Sequence, residues 1–87
     1  MDGNTLVTVR EARRLSRRFK EVRTAISEAE KKVSHRSAAA RRLRLAREAL
    51  NEAKADWQDR AKYQKALRVV EMYESHGAAY ISAAWNG

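Results

Sequence analysis

EAEKKVSHRSAAARRL, residues 28–43, is where the fold is decided. Upstream, Ala12, Leu15, Phe19, Val22, Ile26, Ala29 and Val33 recur at alternating spacings of three and four, the apolar stripe of a bundle or coiled-coil helix. Downstream a second stripe runs Ala39, Leu43, Ala46, Leu50, Ala53 and Trp57. The two are out of register, because carrying the first frame through would put Arg36, Arg47 and Lys54 on a packed face. A polar turn at residues 34–37 absorbs the slip, with Ser37 placed to cap the helix that follows. One continuous rod with a stutter is the alternative reading of the same residues.

Working outward, nothing between residues 4 and 76 forbids helix on covalent grounds. There is no proline, and the glycines are Gly3, Gly77 and Gly87. The chain is rich in Ala, Arg, Glu, Lys and Leu, all good helix formers, so the class is all-α. Residues 1–9 read as an arm whose Thr8 caps the first helix, and residues 10–87 as one helical domain. Its elements are a helix over about 9–34, the turn at 34–37, a helix over about 38–76 and a short helix over about 78–86. Gly77 suits the left-handed position that ends the second helix. The expected architecture is a long antiparallel helical hairpin with a short C-terminal helix folded back over residues 63–73, where the apolar arc broadens. With the turn near residue 36, Arg23 faces Glu48, Lys20 faces Glu52 and Arg14 lies near Asp56. Trp57 and Trp85 read as core anchors.

The chain has 87 residues, a size at which one core is only marginally stabilising. Its 44% apolar content overstates that core, because alanine supplies much of it. The missing burial is expected from a second copy, giving a homodimeric four-helix bundle. With no cysteine, no disulfide staples the fold, which favours a reducing, cytoplasmic compartment. No apolar run approaches the roughly 20 residues of a membrane span. MDGNTLVTV offers no signal-peptide core.

Nineteen Lys and Arg against eleven Asp and Glu give a formal charge of +8, which favours polyanionic partners. The placement of that charge says more than its size. On a helical wheel Arg10, Arg13, Arg17, Lys20, Thr24, Ser27 and Lys31 lie directly opposite the first apolar stripe, with no acid among them. Arg14 flanks this line. Arg36, Arg41 and Arg44 extend the basic region around the turn. Cations interleaved with hydroxyls are the groups that contact phosphate and sugar oxygens, so these eleven residues form the candidate nucleic-acid surface.

Other chemistries find little support. His35 and His76 are far apart and lack Cys or carboxylate clusters, so no metal site is expected. No nucleophile–base pairing or Gly-rich phosphate loop points to an enzyme or a cofactor. Zinc-finger spacing, an RNP-like aromatic strand and a Gly-X-X-Gly clamp are all missing. A long basic helical face suits backbones rather than base edges, which favours duplex RNA, read through its phosphates and 2′-hydroxyls. The hairpin of residues 10–76, the 78–85 helix and the Arg10, Arg13, Arg17, Lys20 line resemble the small nodavirus-type suppressors of RNA silencing. Those are all-α proteins that dimerise into a four-helix bundle along double-stranded RNA. The resemblance implies that this chain shields duplex RNA from silencing nucleases. The competing expectation is a small viral or phage interaction module whose basic face docks on an acidic host protein.

Overall fold

The computed structural model describes residues 5–86 and is all-helical. Helix α1 (Val9–Glu30) opens on a complete capping box: Thr8 Oγ1 accepts from the Glu11 backbone N–H, and the Glu11 carboxylate accepts from the Thr8 N–H. Its apolar stripe buries Leu15, Phe19, Val22 and Ile26. Helix α2 (Ala38–Ala55) begins at Ser37, whose hydroxyl accepts from Ala40 N, as the sequence suggests. α1 and α2 form the antiparallel hairpin. Its register differs from the one inferred, because the connecting loop spans residues 31–37 rather than a turn at 34–37. Arg23 therefore donates to Asn51 instead of meeting Glu48, and Glu30 pairs with Arg47. Lys20 and Arg14 pair with neither Glu52 nor Asp56 among the described residues.

The second arm departs from the sequence reading. It ends at Ala55, and a new helix, α3 (Arg60–His76), starts after a turn at residues 56–59. Two aspartates make this break without proline or glycine. Asp59 caps α3 by accepting from Lys62 N at 3.1 Å, and Asp56 takes the Lys62 ammonium at 3.1 Å. Asp is a poor interior residue and a good cap, so it favours the ends it occupies here. The arm upstream of α1 braces the turn, since Val7 N donates to Gln58 O and Arg60 donates to the Thr5 and Leu6 carbonyls. Residues 1–4 of the expected arm, and residue 87, lie outside the described residues.

Helix α4 (Ala78–Ala84) follows Gly77, which adopts φ 85° and ψ 173°, a region almost restricted to glycine. It folds back against α2 and α3, and the Arg42 guanidinium donates to Ser82 O. Ile81 and Trp85 enter the core beside Leu43, Leu50, Val69 and Val70. Fully burying one such aliphatic side chain contributes about 1.5–3 kcal/mol. Breaking the second arm thus lets one chain build its own four-helix bundle, 41 × 22 × 22 Å. The alanines Ala46, Ala49, Ala53 and Ala66 bring the helices close at the centre. Trp85 is the core anchor expected, 4% exposed. Trp57 is not: it sits in the turn with 38% of its surface exposed, because the helix it was assigned to has already ended.

Candidate nucleic-acid interface

Burying Leu15, Phe19, Val22 and Ile26 fixes the rotation of α1, and that rotation sends the basic line outward. Arg10, Arg13, Arg14, Arg17, Lys20 and Thr24 are exposed, and Ser27 is half-buried. Arg10, Arg13, Arg14 and Arg17 surround one shallow depression beside Val9. Lys20 and Thr24 continue the line along the lip of a groove against α2. The Thr24 hydroxyl donates to Lys20 O at 2.9 Å, so its proton is committed within the helix. Lys31 follows the last turn and pairs loosely with Glu28 at 3.8 Å. Arg36, in the α1–α2 loop, and Arg41 and Arg44, in α2, are exposed and line neither of these two depressions. Arg44 lies 4.0 Å from Glu48. Exposed pairs of this kind are worth about 0–1 kcal/mol, which leaves both cations available.

The acids have other tasks. Glu11 takes two hydrogen bonds from Arg60, at 3.0 and 3.2 Å, and Arg60 also lies over the Tyr63 ring. The Arg60 hydrogen bonds, with help from the Thr8 N–H, bring the Glu11 carboxyl down to about 2. Arg18 chelates Glu74 of α3 through two hydrogen bonds, holding that carboxyl below its usual range. Glu21 accepts from the Tyr73 hydroxyl. Of the carboxylates along α1, Glu11 and Glu21 thus turn toward α3 and Glu30 toward α2, while Glu28 meets Lys31 at the end of the helix. Among the described residues, none stands within ion-pair distance of Arg10, Arg13, Arg14, Arg17 or Lys20.

The arginines of α1 stand toward the end of the helix that least favours cations. The partial positive charge at a helix N-terminus favours acids, and the C-terminus favours cations, by about 0.3–1 kcal/mol each. Here Arg10 shares the first turn with Glu11, the one acid there; Arg13, Arg14 and Arg17 follow within the first nine residues, and the last turn holds no basic residue before Lys31 at the C-cap. Arg10–Arg14 and Arg13–Arg17 also repel at the i,i+4 spacing, costing about 0.2–0.5 kcal/mol per pair. The cluster therefore destabilises the helix that carries it.

Two residues beside this surface were not legible in the sequence. Lys54 and Trp57 face the α2 side of α1 across a groove of about 280 Å³, which reaches down to Leu15 and Phe19 and shares Arg13 with the arginine cluster. The available signal was Asp56 and Asp59, a pair of cap-type residues flanking Trp57. Elsewhere, His35 is exposed in the loop, and His76 lies against Tyr80 with ring centroids 4.4 Å apart. Among the described residues no His, Cys, Asp and Glu side chains gather in a group able to hold a metal ion. No helix among them is long and apolar enough to cross a membrane. In comparisons with known proteins, the chain matches no family model, no curated protein and no solved structure.

Proposed function

We propose that this protein binds double-stranded RNA, independently of sequence, through the outer face of α1. The observation that carries the proposal is the arginine cluster at the wrong end of its helix. Local rules are broken where function requires it, and a phosphate backbone is the partner that turns this repulsion into attraction. The 22 helical residues of α1 give this face a length of about 33 Å at 1.5 Å per residue. Such a surface lies along a duplex and meets phosphates and 2′-hydroxyls without reaching base edges. Shielding duplex RNA from nucleases would follow from the same surface, although the long second arm that carried the silencing-suppressor resemblance is broken at residues 56–59.

The test is the simultaneous change of Arg13, Arg17 and Lys20 to alanine. Folding should be unimpaired or slightly improved, because repulsion is relieved and alanine is the better helix former. Affinity for every duplex sequence should fall. The slope of log affinity against log salt should flatten by up to about three, with roughly one counterion released per phosphate contact. Unaltered affinity and slope would remove the proposal. If the wild type shows no RNA affinity even at low salt, an acidic protein becomes the partner to seek. Binding through α1 needs no second copy, since α3 and α4 add buried apolar residues within one chain, and the homodimer expected from the sequence is tested separately. Sedimentation equilibrium at micromolar concentration should return the mass of one chain. A species of twice that mass, surviving dilution, would restore the two-chain bundle.

A further inference from the structure

The groove between α1 and the C-terminal end of α2 combines three properties. It is aromatic: Phe19, Trp57 and Tyr63 line it, half of the aromatic residues in a chain with one Phe, two Trp and three Tyr. It is open, since Trp57 is 38% exposed and Val9, also at its edge, 51%. Its charged lining residues, Arg13 and Lys54, are both cations, with no carboxylate among the described lining residues. At about 280 Å³ it has room for one flat ring system, just below the usual range of small-molecule sites. A second depression continues it along the same two helices, sharing Ser16, Phe19 and Lys54 and adding Lys20 and Arg23.

A partly exposed indole at the edge of this groove offers a face on which a flat ring can stack. A purely aliphatic partner would have no use for the cations at the rim. An unpaired nucleobase uses both: its π-face stacks on an indole, and its own phosphate stays within reach of neighbouring cations. Arg13 belongs at once to this groove and to the arginine cluster on the outer face of α1, so a strand leaving that cluster meets the groove next. We propose that the groove beside Trp57 takes an unpaired base at the end of the bound RNA, so that duplexes with a single-stranded overhang are held in preference to blunt ones. This rests on the RNA-binding reading above and adds end recognition to it.

The experiment compares a blunt RNA duplex with the same duplex carrying a short single-stranded overhang, following tryptophan emission and anisotropy in parallel. Trp85 is buried and gives a constant background, so quenching reports Trp57. The overhang should improve affinity by about 10-fold or more, the order of one base stacked on an aromatic ring, and should quench emission. Trp57→Leu, which keeps the apolar cover without the indole, should abolish that advantage and leave blunt-duplex affinity unchanged. Trp57→Phe should restore part of it. Equal affinity for both duplexes, or a Trp57→Leu variant that still prefers the overhang, overturns end recognition while leaving duplex binding intact. Loss of all RNA binding at low salt in the wild type instead overturns the reading on which it rests. Quenching by an acidic aromatic peptide, with no preference for the overhang, overturns the assignment in favour of a protein partner.

Discussion

The regions around Trp85 and Trp57 show how one kind of side chain meets two fates in the same short chain. Trp85 follows α4, which a glycine at φ 85° turns back onto α2 and α3, and the indole ends 4% exposed with Arg68 over its ring. Trp57 follows α2 in a turn with no helix folded over it, and ends 38% exposed. The first region is closed by apolar burial. The second is held by polar contacts: Arg60 on Glu11 and on the carbonyls of Thr5 and Leu6, Val7 on Gln58, and Lys62 on Asp56. The bundle therefore spends one tryptophan on its core and keeps the other at the edge of a basic groove. What separates the two is the tertiary path of the chain, since both sit in similar apolar patterns.

The largest effect expected is that of Trp85→Ala. Truncating a buried aromatic costs about 3–5 kcal/mol, most of the stability available to a domain of this size. Chemical denaturation should show a large fall in midpoint or no cooperative transition. A fall comparable to that of Trp57→Ala would erase the contrast. Gly77→Ala comes next and acts through the backbone alone. An added Cβ meets nothing within 4 Å, so the cost is that of holding a non-glycine residue at positive φ, about 1–3 kcal/mol. At about 4–8 °C per kcal/mol for a small domain, the shift is easily read in a thermal melt. A melt unchanged by this substitution would mean that the return of α4 does not depend on the Gly77 conformation.

How much of this contrast the sequence carried can be traced residue by residue. The start of α1 was legible because Thr8 and Glu11 form a box from neighbouring residues, and its core face because Leu15, Phe19, Val22 and Ile26 keep one period. Ser37 and Gly77 were legible for the same local reason. The rotation of α1 followed, and with it the exposure of Arg10, Arg13, Arg17 and Lys20. The break at residues 56–59 was marked in the sequence only by Asp56 and Asp59. Ala53 and Trp57 keep the i,i+4 step of a continuing helix, no Gly or Pro interrupts it, and the contacts that brace the turn come from residues 5–7, some fifty positions away. The groove exists only through that long-range contact, so Lys54 and Trp57 could not be joined to the basic surface beforehand. The broadened apolar arc after residue 60 was the trace of it: α3 faces α1, α2 and α4 at once, and does not continue a two-helix seam.

A titration separates the two regions next. The Glu11 carboxyl sits at about 2 in the folded chain, below its ordinary value of 4.5, chiefly through the Arg60 hydrogen bonds. A carboxyl depressed in the native state makes the unfolded state the better proton binder between those values. Its stabilisation is complete above about pH 4.5 and is lost as pH falls through the window to about 2. Glu74, lowered by Arg18, adds in the same direction. Glu11→Gln should make stability less dependent on pH below 4.5, whereas Trp85→Phe should leave that slope as it is. An identical acid profile for Glu11→Gln and the wild type would show that Arg60 does not hold the turn through this pair.

The smallest stability effect is expected of Trp57→Ala, although on the sequence alone it would rank with the largest. A seam tryptophan would cost about as much as Trp85. A tryptophan that edges an open groove should cost about 0.5–1.5 kcal/mol, between a surface substitution and an average one, because part of its area faces solvent already and no closed cavity is left behind. The melt should stay cooperative and shift by about 2–12 °C, at about 4–8 °C per kcal/mol. The emission spectra of the single substitutions sharpen the point. Removing Trp57 should leave the blue-shifted emission of the shielded Trp85, and Trp85→Phe should leave the red-shifted, readily quenched emission of Trp57. A loss of several kcal/mol on truncating Trp57 would put its indole in the core, close the groove, and return the arginines of α1 to the status of a face with no pocket beside it.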